Sequence, residues 1–198
     1  MACVGIGRFA PSPHSLGLWL KKMNIIPGIG IGNIQYGITE FELISILGEP
    51  DRIDEEEYIE GSGDWHRELW FSPRNLSFTF NKDDDFRLGT ITIMGSGYTL
   101  FGNDLFNAPK KLVRQTVSSN SGELLPTEDY SYIENEPHEC LNSDLLGIMF
   151  WFDSDNLSEM QCSYLFESDN ETVIWPASHN NQLKLTRRTI APHNLARR

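Results

Sequence analysis

An alternating aromatic pattern followed by an acidic turn occurs twice, and it constrains the fold more than any other feature. The first copy is "SFTFNKDD", in which Phe78 and Phe80 stand at alternate positions, and the second is "MFWFDSDN", in which Phe150 and Phe152 do so. A period of two is typical of a strand with one buried face, and a polar, acidic cluster is typical of a turn. The two copies lie 72 residues apart. This spacing indicates an internal repeat.

A stretch ahead of the first copy predicts a helix. In "TEFELISILGEP", Thr39 is a suitable N-cap, and Glu42 at the third helical position completes a capping box. Gly48 and Pro50 end this helix, because glycine is typical just after a helix and proline cannot continue one. The predicted apolar stripe is Phe41, Ile44 and Leu47, with Leu43 beside it.

A second helix is predicted in "LFNAPKKLVRQTV", with Pro109 in its first turn, where a missing N–H is tolerated. Its predicted apolar positions are Leu105, Leu112 and Val117. The patterns "RELWFS", "LGTITIMG", "SEMQCSYLF" and "TVIW" predict further short strands, and residues 54–64 are interpreted as a linker or a ragged edge.

These patterns predict an α+β fold of two tandem units, each with one helix packed on a short antiparallel sheet. The predicted boundaries are 1–24 for a poorly ordered extension, 25–98 for the first unit, 99–176 for the second unit and 177–198 for a basic C-terminal tail.

Acidic residues dominate the predicted folded part. The chain of 198 residues has a formal net charge of −12. All 28 acidic residues lie within 23–183, whereas eight of the 16 basic residues lie outside that range, so the predicted folded part carries about −20. Such a surface repels nucleic acid and anionic membranes, and it speeds the encounter with a basic partner. Acidity for solubility alone is the plainer alternative.

The densest acidic run, "EPDRIDEEEYIEGSGDW", follows the first predicted helix. Aromatic side chains within an acidic field suit a cationic protein partner, because the rings supply contact area and cation–π faces while the carboxylates steer and pair. The alternative is a solvated, weakly ordered loop. The predicted partner-binding residues are Asp54, Glu55, Glu56, Glu57, Tyr58, Glu60, Asp64 and Trp65.

Motifs for catalysis, metal binding and cofactors are missing from the sequence. The glycines of "PGIGIGNIQYG" do not fit G-x-G-x-x-G, because Asn33 and Gln35 stand where the third glycine would be needed, and we interpret them as a tight turn. His138 with Cys140 has no second pair that would complete a tetrahedral metal site. Cys162, in an alternating strand pattern, is expected to fill the core. We expect no catalytic residue, no metal and no cofactor.

The first residues do not read as a secretory signal, because Arg8 is followed by prolines and the apolar stretch ends in Lys21 and Lys22 instead of a cleavage site. No apolar run approaches the roughly 18 residues that a membrane-spanning helix needs. An odd number of cysteines without C-x-x-C favours a reducing compartment. We therefore expect a cytoplasmic protein.

The stretch "IQYGITEFELISILGEPDRI" resembles the G-x-[ST]-x-x-E-[VL]-x-x-x-LG-x-P-[DE] signature of a helix-plus-antiparallel-sheet unit. That unit is found in small outer-membrane lipoproteins of β-barrel assembly, in tandem in β-lactamase inhibitor proteins, and in families of bacterial immunity proteins. The residues at matching positions are Gly37, Thr39, Leu43, Leu47, Gly48, Pro50 and Asp51.

The resemblance implies an immunity protein that binds and neutralises a cognate, basic, nuclease-like toxin domain through an acidic surface. Nucleic acid and membrane are not expected as partners, and no enzymatic activity is expected. The alternative from another class is an enzyme or small-ligand binder that uses the cleft between the two units, with His66 and His138 at equivalent positions.

Overall fold

The computed structural model describes residues 22–129, 139–169 and 171–176. The predicted basic tail 177–198, His138 and most of the predicted N-terminal extension lie outside these residues. The first strand begins at Met23, so Met23 and Asn24 belong to the folded part and not to the predicted extension over 1–24.

Two helices and fourteen strands are present in the described residues. The first part of the chain contains β1 (Met23–Ile26), β2 (Gly30–Ile31), β3 (Ile34–Gln35), α1 (Glu40–Leu47), β4 (Arg52–Glu57), β5 (Trp65–Phe71), β6 (Leu76–Asn81) and β7 (Arg87–Ile93). The second part contains β8 (Tyr98–Thr99), α2 (Lys110–Ser121), β9 (Thr127–Asp129), β10 (Glu139–Ser143), β11 (Ile148–Asp153), β12 (Asn156–Ser163), β13 (Leu165–Phe166) and β14 (Val173–Ile174).

The main layer is one eight-stranded antiparallel sheet with the order β4-β5-β6-β7-β12-β11-β10-β9. Strands β1, β2, β3 and β8 form a small second sheet, and β13 pairs with β14. The predicted α+β class is confirmed. The sheet is larger than the two short sheets that were predicted, because β7 and β12 pair with each other and join the strands of both halves into one layer.

The acidic segment 54–64, which we interpreted as a linker or a ragged edge, contains the end of an edge strand, β4, followed by the loop to β5. β4 pairs with β5 over all six of its residues, from Arg52 opposite Trp70 to Glu57 opposite Trp65. Its sequence, "RIDEEE", has no apolar alternation, and Ile53 is 47% exposed. The pairing comes from the backbone of β5, and charged side chains are a usual protection on an edge strand.

Helix caps follow the sequence closely. The Thr39 hydroxyl accepts from the Glu42 N–H at 3.3 Å, and the Glu42 carboxylate accepts from the Thr39 N–H at 2.8 Å. The predicted capping box is therefore confirmed, and Gly48 is the C-cap as predicted. Pro109 is the N-cap of α2, so Leu105, although buried, precedes that helix and is not part of its apolar stripe.

Each helix contacts the core through part of its predicted apolar stripe. Leu43 is fully buried in α1, whereas Phe41 is 80% exposed. Val113 and Val117 are fully buried in α2, whereas Leu112 is 48% exposed. Ile44 and Leu47 of the predicted α1 stripe also pack against the core, so Phe41 is the member of that stripe that points toward solvent.

One face of the large sheet carries most of the buried aromatic side chains. Phe78 lies opposite Ile91, and Phe150 lies opposite Met160, and all four residues are buried. Cys162 is also buried in this core, as predicted, and burial raises the pKa of its thiol to about 12. The aromatic alternation found in the sequence therefore builds the face on which both helices lie.

The glycine-rich start forms the turns of the small sheet. A Cβ atom on Gly30, which has φ of 144°, would lie 2.0 Å from the Ile34 carbonyl oxygen. At Gly37, which has φ of 83°, it would lie 2.9 Å from the Trp175 ring. These glycines permit close approach of backbone to backbone and of backbone to ring. Among the described helices, none is long and apolar enough to cross a membrane.

Candidate partner-binding surface

The acidic side chains of β4 divide between the two faces of the sheet. Asp54 and Glu56 lie opposite Glu68 and His66 on the face away from the helices. Glu55 lies opposite Arg67 on the helix side. Because successive side chains of a strand alternate, the carboxylates of β4 lie on both faces of the sheet.

Two of these carboxylates already have cationic partners. Asp54 is 2.9 Å from the Nε of Arg52, whose guanidinium lies 4.1 Å from the centre of the Trp70 ring. Glu55 is 3.8 Å from the Nε of Arg67, which also lies 3.2 Å from a carboxylate oxygen of Glu40. Asp54 and Glu55 are therefore partly neutralised within the fold.

Glu57 closes the loop between β4 and β5. Its carboxylate accepts from the N–H of Gly61 at 2.6 Å and from the N–H of Gly63 at 3.1 Å. This places Glu60 at the exposed tip of the loop. The Glu57 carboxylate therefore holds the loop. A partner's cation would compete with these two N–H groups for the same carboxylate.

Tyr58 is held at the base of the same loop. Its ring stacks on His66 with 4.3 Å between centroids, and its hydroxyl donates to the Asn81 side-chain oxygen at 2.7 Å. Burial, followed by the negative charges of Glu68 and Asp84, raises the pKa of this hydroxyl. The ring is thus fixed at the edge of the sheet, ready to act as a rigid contact surface.

A cleft of about 260 Å³ opens beside Tyr58. It lies where the β4–β5 loop meets the turn between β6 and β7, and three aromatic rings and three carboxylates share its walls. The lining residues, which we call the acidic cleft, are Tyr58, Asp64, Trp65, Asn81, Asp83, Asp84 and Tyr164.

Hydrogen bonds join the two loops that form the acidic cleft. Lys82 donates to the Gly63 carbonyl at 2.8 Å, so one ammonium group lies at the rim. The Tyr164 hydroxyl donates to Asp84 at 2.9 Å. Burial and this hydrogen bond to the carboxylate raise the pKa of Tyr164, which keeps its hydroxyl protonated.

Two carboxylates in the acidic cleft have free acceptor capacity. Within the described part of the chain, neither Asp64 nor Asp83 makes a side-chain hydrogen bond or an ion pair, and both side chains are exposed. Trp65 beside them is 39% exposed. An arginine or lysine side chain of a partner could pair with these carboxylates while lying against the rings.

The structure brings together only part of the predicted site. Tyr58, Asp64 and Trp65 line the acidic cleft, whereas Asp54, Glu55, Glu56, Glu57 and Glu60 do not. Sequence reasoning did not include Asn81, Asp83, Asp84 or Tyr164. A signal was available, because alternate turns of an antiparallel meander lie at the same end of its sheet. The "KDDD" turn could therefore have been placed beside the acidic run.

A second and larger groove, of about 650 Å³, lies at the other half of the sheet. Its lining includes Met149, Gln161, Phe166 and Ile174. His66 lines neither cleft, and its Nδ1 is buried without a hydrogen-bond partner. His138 lies outside the described residues, so the predicted pairing of the two histidines in a cleft between the units stays a prediction. No cluster of three or more metal-ligating side chains occurs in residues 22–129, 139–169 and 171–176.

No protein-family model, no curated protein and no solved structure matches this chain.

Proposed function

We propose that this chain is a tandem duplication of one unit, in which a helix is followed by four antiparallel strands. The sheet order supports it, since β4 to β7 run inward from one edge and β9 to β12 run inward from the other. The register supports it as well. Arg67 lies opposite Phe80 and Glu139 lies opposite Phe152, and each pairing stands at the same place in its own half.

We further propose that the protein is a cytoplasmic immunity protein for a cognate bacterial toxin with a basic, nuclease-like surface. The single observation that carries the proposal is the acidic cleft, in which Asp64 and Asp83 lie beside exposed aromatic side chains at one edge of the sheet. A nucleic-acid-binding groove is rich in lysine and arginine, so a surface of carboxylates and rings is complementary to it. The resemblance around α1 agrees with this reading.

Inhibition by such a protein needs no chemistry of its own. It is sufficient that the acidic cleft binds an arginine or lysine near the toxin's substrate groove, while exposed acids of β4 and of the β4–β5 loop accelerate encounter. Glu56 and Glu60 suit the second role, because neither carboxylate has a hydrogen-bond or ion-pair partner among the described residues.

The test is purification of the native complex, followed by measured binding to the basic domain that co-purifies. A stoichiometric basic protein is expected. Reversing the charge at both free carboxylates, with Asp64→Lys and Asp83→Lys, should slow association with the basic domain roughly tenfold or more at low salt. No co-purifying basic protein, or a bound small molecule in its place, would remove the proposal.

The matched control is Asp153→Lys at the end of β11, next to the turn between β11 and β12. Asp153 is exposed and belongs to the second acidic turn of the repeat, at the opposite end of the sheet. This substitution changes the net charge by the same amount as each of the two cleft substitutions does. If Asp153→Lys slows association as much per residue as the cleft variants do, the effect is one of net charge and the cleft is not the binding site.

A further inference from the structure

The segment that follows the last described residue is complementary in charge to the acidic cleft. Residues 177–198 contain five basic residues and no acidic one. The five are Lys184, Arg187, Arg188, Arg197 and Arg198. The cleft, by contrast, has three carboxylates on its walls.

The described chain ends next to this cleft. The ring of Trp175 lies 5.0 Å from that of Tyr164, in an edge-to-face contact, and it also lies against the backbone of Gly37. Tyr164 is itself a wall of the cleft and donates to Asp84. The segment therefore begins one aromatic side chain away from the carboxylates.

The length of the segment allows its cations to reach the cleft. Lys184 lies eight residues beyond Pro176, and eight extended residues span at most about 26–29 Å. Arg187 and Arg188 follow at once, so three cations fall within one short stretch. A tether of this length holds the cations at an effective concentration of the order of millimolar, at which even weak ion pairs become populated.

We propose that residues 184–188 dock within the same molecule on the acidic cleft, with Lys184, Arg187 and Arg188 facing Asp64 and Asp83. The rings of Tyr58, Trp65 and Tyr164 provide faces on which the cationic groups can lie. Lys82 at the rim opposes this attraction in part. The docked segment is therefore weakly held and sensitive to salt.

Docking of this kind makes the segment a competitor for any basic partner of the cleft. This consequence rests on the proposed function, whereas the docking itself does not. A partner must displace the segment, so its apparent affinity falls by the fraction of molecules in which the cleft is free. The competition excludes weakly basic proteins. It favours a partner whose cations match the cleft better than those of the segment do.

The test places a spin label at Gln182→Cys in the full chain, with Cys3→Ser so that the remaining cysteines are the buried Cys140 and Cys162. Amide signals of Asp64, Asp83 and Asp84 should lose intensity at low salt. They should recover at about 1 M salt, where the Debye length is about 3 Å. Because the tether alone keeps the label near the cleft, the baseline is the same labelled chain with Lys184→Gln, Arg187→Gln and Arg188→Gln.

The matched variants separate docking from tethering. Asp64→Asn with Asp83→Asn should reduce the loss of signal to the baseline, whereas Asp153→Asn should leave it unchanged. The segment variants change residues outside the described fold, so they test the docking even if a cleft variant unfolds. Equal signal loss in the labelled chain and the baseline, or loss confined to amides of Met149 and Gln161 in the larger groove, would overturn the proposal.

A mixed sample distinguishes docking within one molecule from docking between molecules. When spin-labelled chains without isotope are added to unlabelled isotopic chains, the cleft amides of the isotopic chains should keep their intensity. Loss of signal in this mixture would show that the segment binds a second copy and would refute the intramolecular form. The experiment contains no toxin, so its failure leaves the proposed function standing, and failure of toxin binding leaves the docking standing.

Discussion

The two halves of the sheet have an ion pair at the same place, with the charges reversed. In the first half Glu40 begins α1 and lies 3.2 Å from Arg67 of β5. In the second half Lys110 begins α2 and pairs with Glu139 of β10. The two ion pairs thus join corresponding elements, whereas the charges of their members are exchanged. A side chain at the start of a helix still joins that helix to the second strand of its half.

The exchange of charges leaves the two halves with different acidic turns. Lys110 also reaches Asp155 of the β11–β12 turn at 3.1 Å. In the first half, Arg67 contacts Glu40 and Glu55, and the free carboxylates of the acidic cleft have no such partner. One acidic turn is therefore neutralised by its helix, and the other remains available for binding. The proposed partner site therefore lies in the half whose acidic turn has no cation from its helix.

The largest expected effect tests whether the two halves form one cooperative unit. Phe78→Ala and Phe150→Ala remove counterpart rings that are both fully buried. Each should lower the free energy of unfolding by about 3–5 kcal/mol, because a cavity remains where the ring was. Urea denaturation followed by tryptophan fluorescence and by circular dichroism gives the two values.

A single transition seen by both probes is expected for each variant, since β7 and β12 join the halves. If the chain no longer folds, Phe78→Leu and Phe150→Leu provide milder versions of the same comparison. Two separate transitions, with only one of them displaced by each substitution, would contradict a single cooperative sheet.

A smaller effect is expected from breaking the two ion pairs. Glu40→Ala and Lys110→Ala should each lower the free energy of unfolding by roughly 1 kcal/mol, the upper range for pairs near the surface. Lys110→Ala should cost more, because it leaves both Glu139 and Asp155 without their cation. The exchange Glu40→Lys with Arg67→Glu should restore much of what each reversal alone loses. No recovery in this double variant would show that the pair has no direct coupling.

The same two pairs differ in their response to high pH. The hydrogen bond to Glu139, and then that to Asp155, raise the pKa of Lys110 above its ordinary value of 10.5. A raised pKa in the folded state means that the stabilisation is fully present below pH 10.5 and is lost as the pH rises through the folded value. Arginine keeps its charge over this range.

The measurement is the free energy of unfolding between pH 9 and pH 12, in the parent chain and in the Lys110→Arg variant. The parent should lose more of its free energy of unfolding at high pH than Lys110→Arg does. Equal losses in the two proteins would mean that Lys110 does not contribute through its charge.

Local sequence signals predicted the parts of the fold that local interactions decide. The capping box of Thr39 and Glu42 needs only neighbouring residues, and β6 coincides with the predicted "LSFTFN". Strand β4 was missed because its pairing depends on the backbone of β5, and an exposed acidic edge strand has no apolar pattern.

The candidate site shows the same division between local and distant information. Tyr58, Asp64 and Trp65 could be predicted because they lie in one short acidic run. Tyr164 could not, since its contact with Asp84 joins residues 80 positions apart and requires the pairing of β7 with β12. The aromatic repeat predicted two units, but nothing local in it indicates that their sheets merge.

The smallest expected effect concerns Phe41, where the predicted stripe and the structure disagree most. Phe41→Ser should change the free energy of unfolding by less than about 0.5 kcal/mol, because the side chain is 80% exposed. Leu43→Ala in the same helix should cost about 2–5 kcal/mol, because Leu43 is fully buried. Both values come from the same urea denaturation series. A large cost at Phe41 would mean that this ring is covered in the native protein. Because α1 has Phe41 on its outer side, the covering element would then lie on the solvent side of the helix.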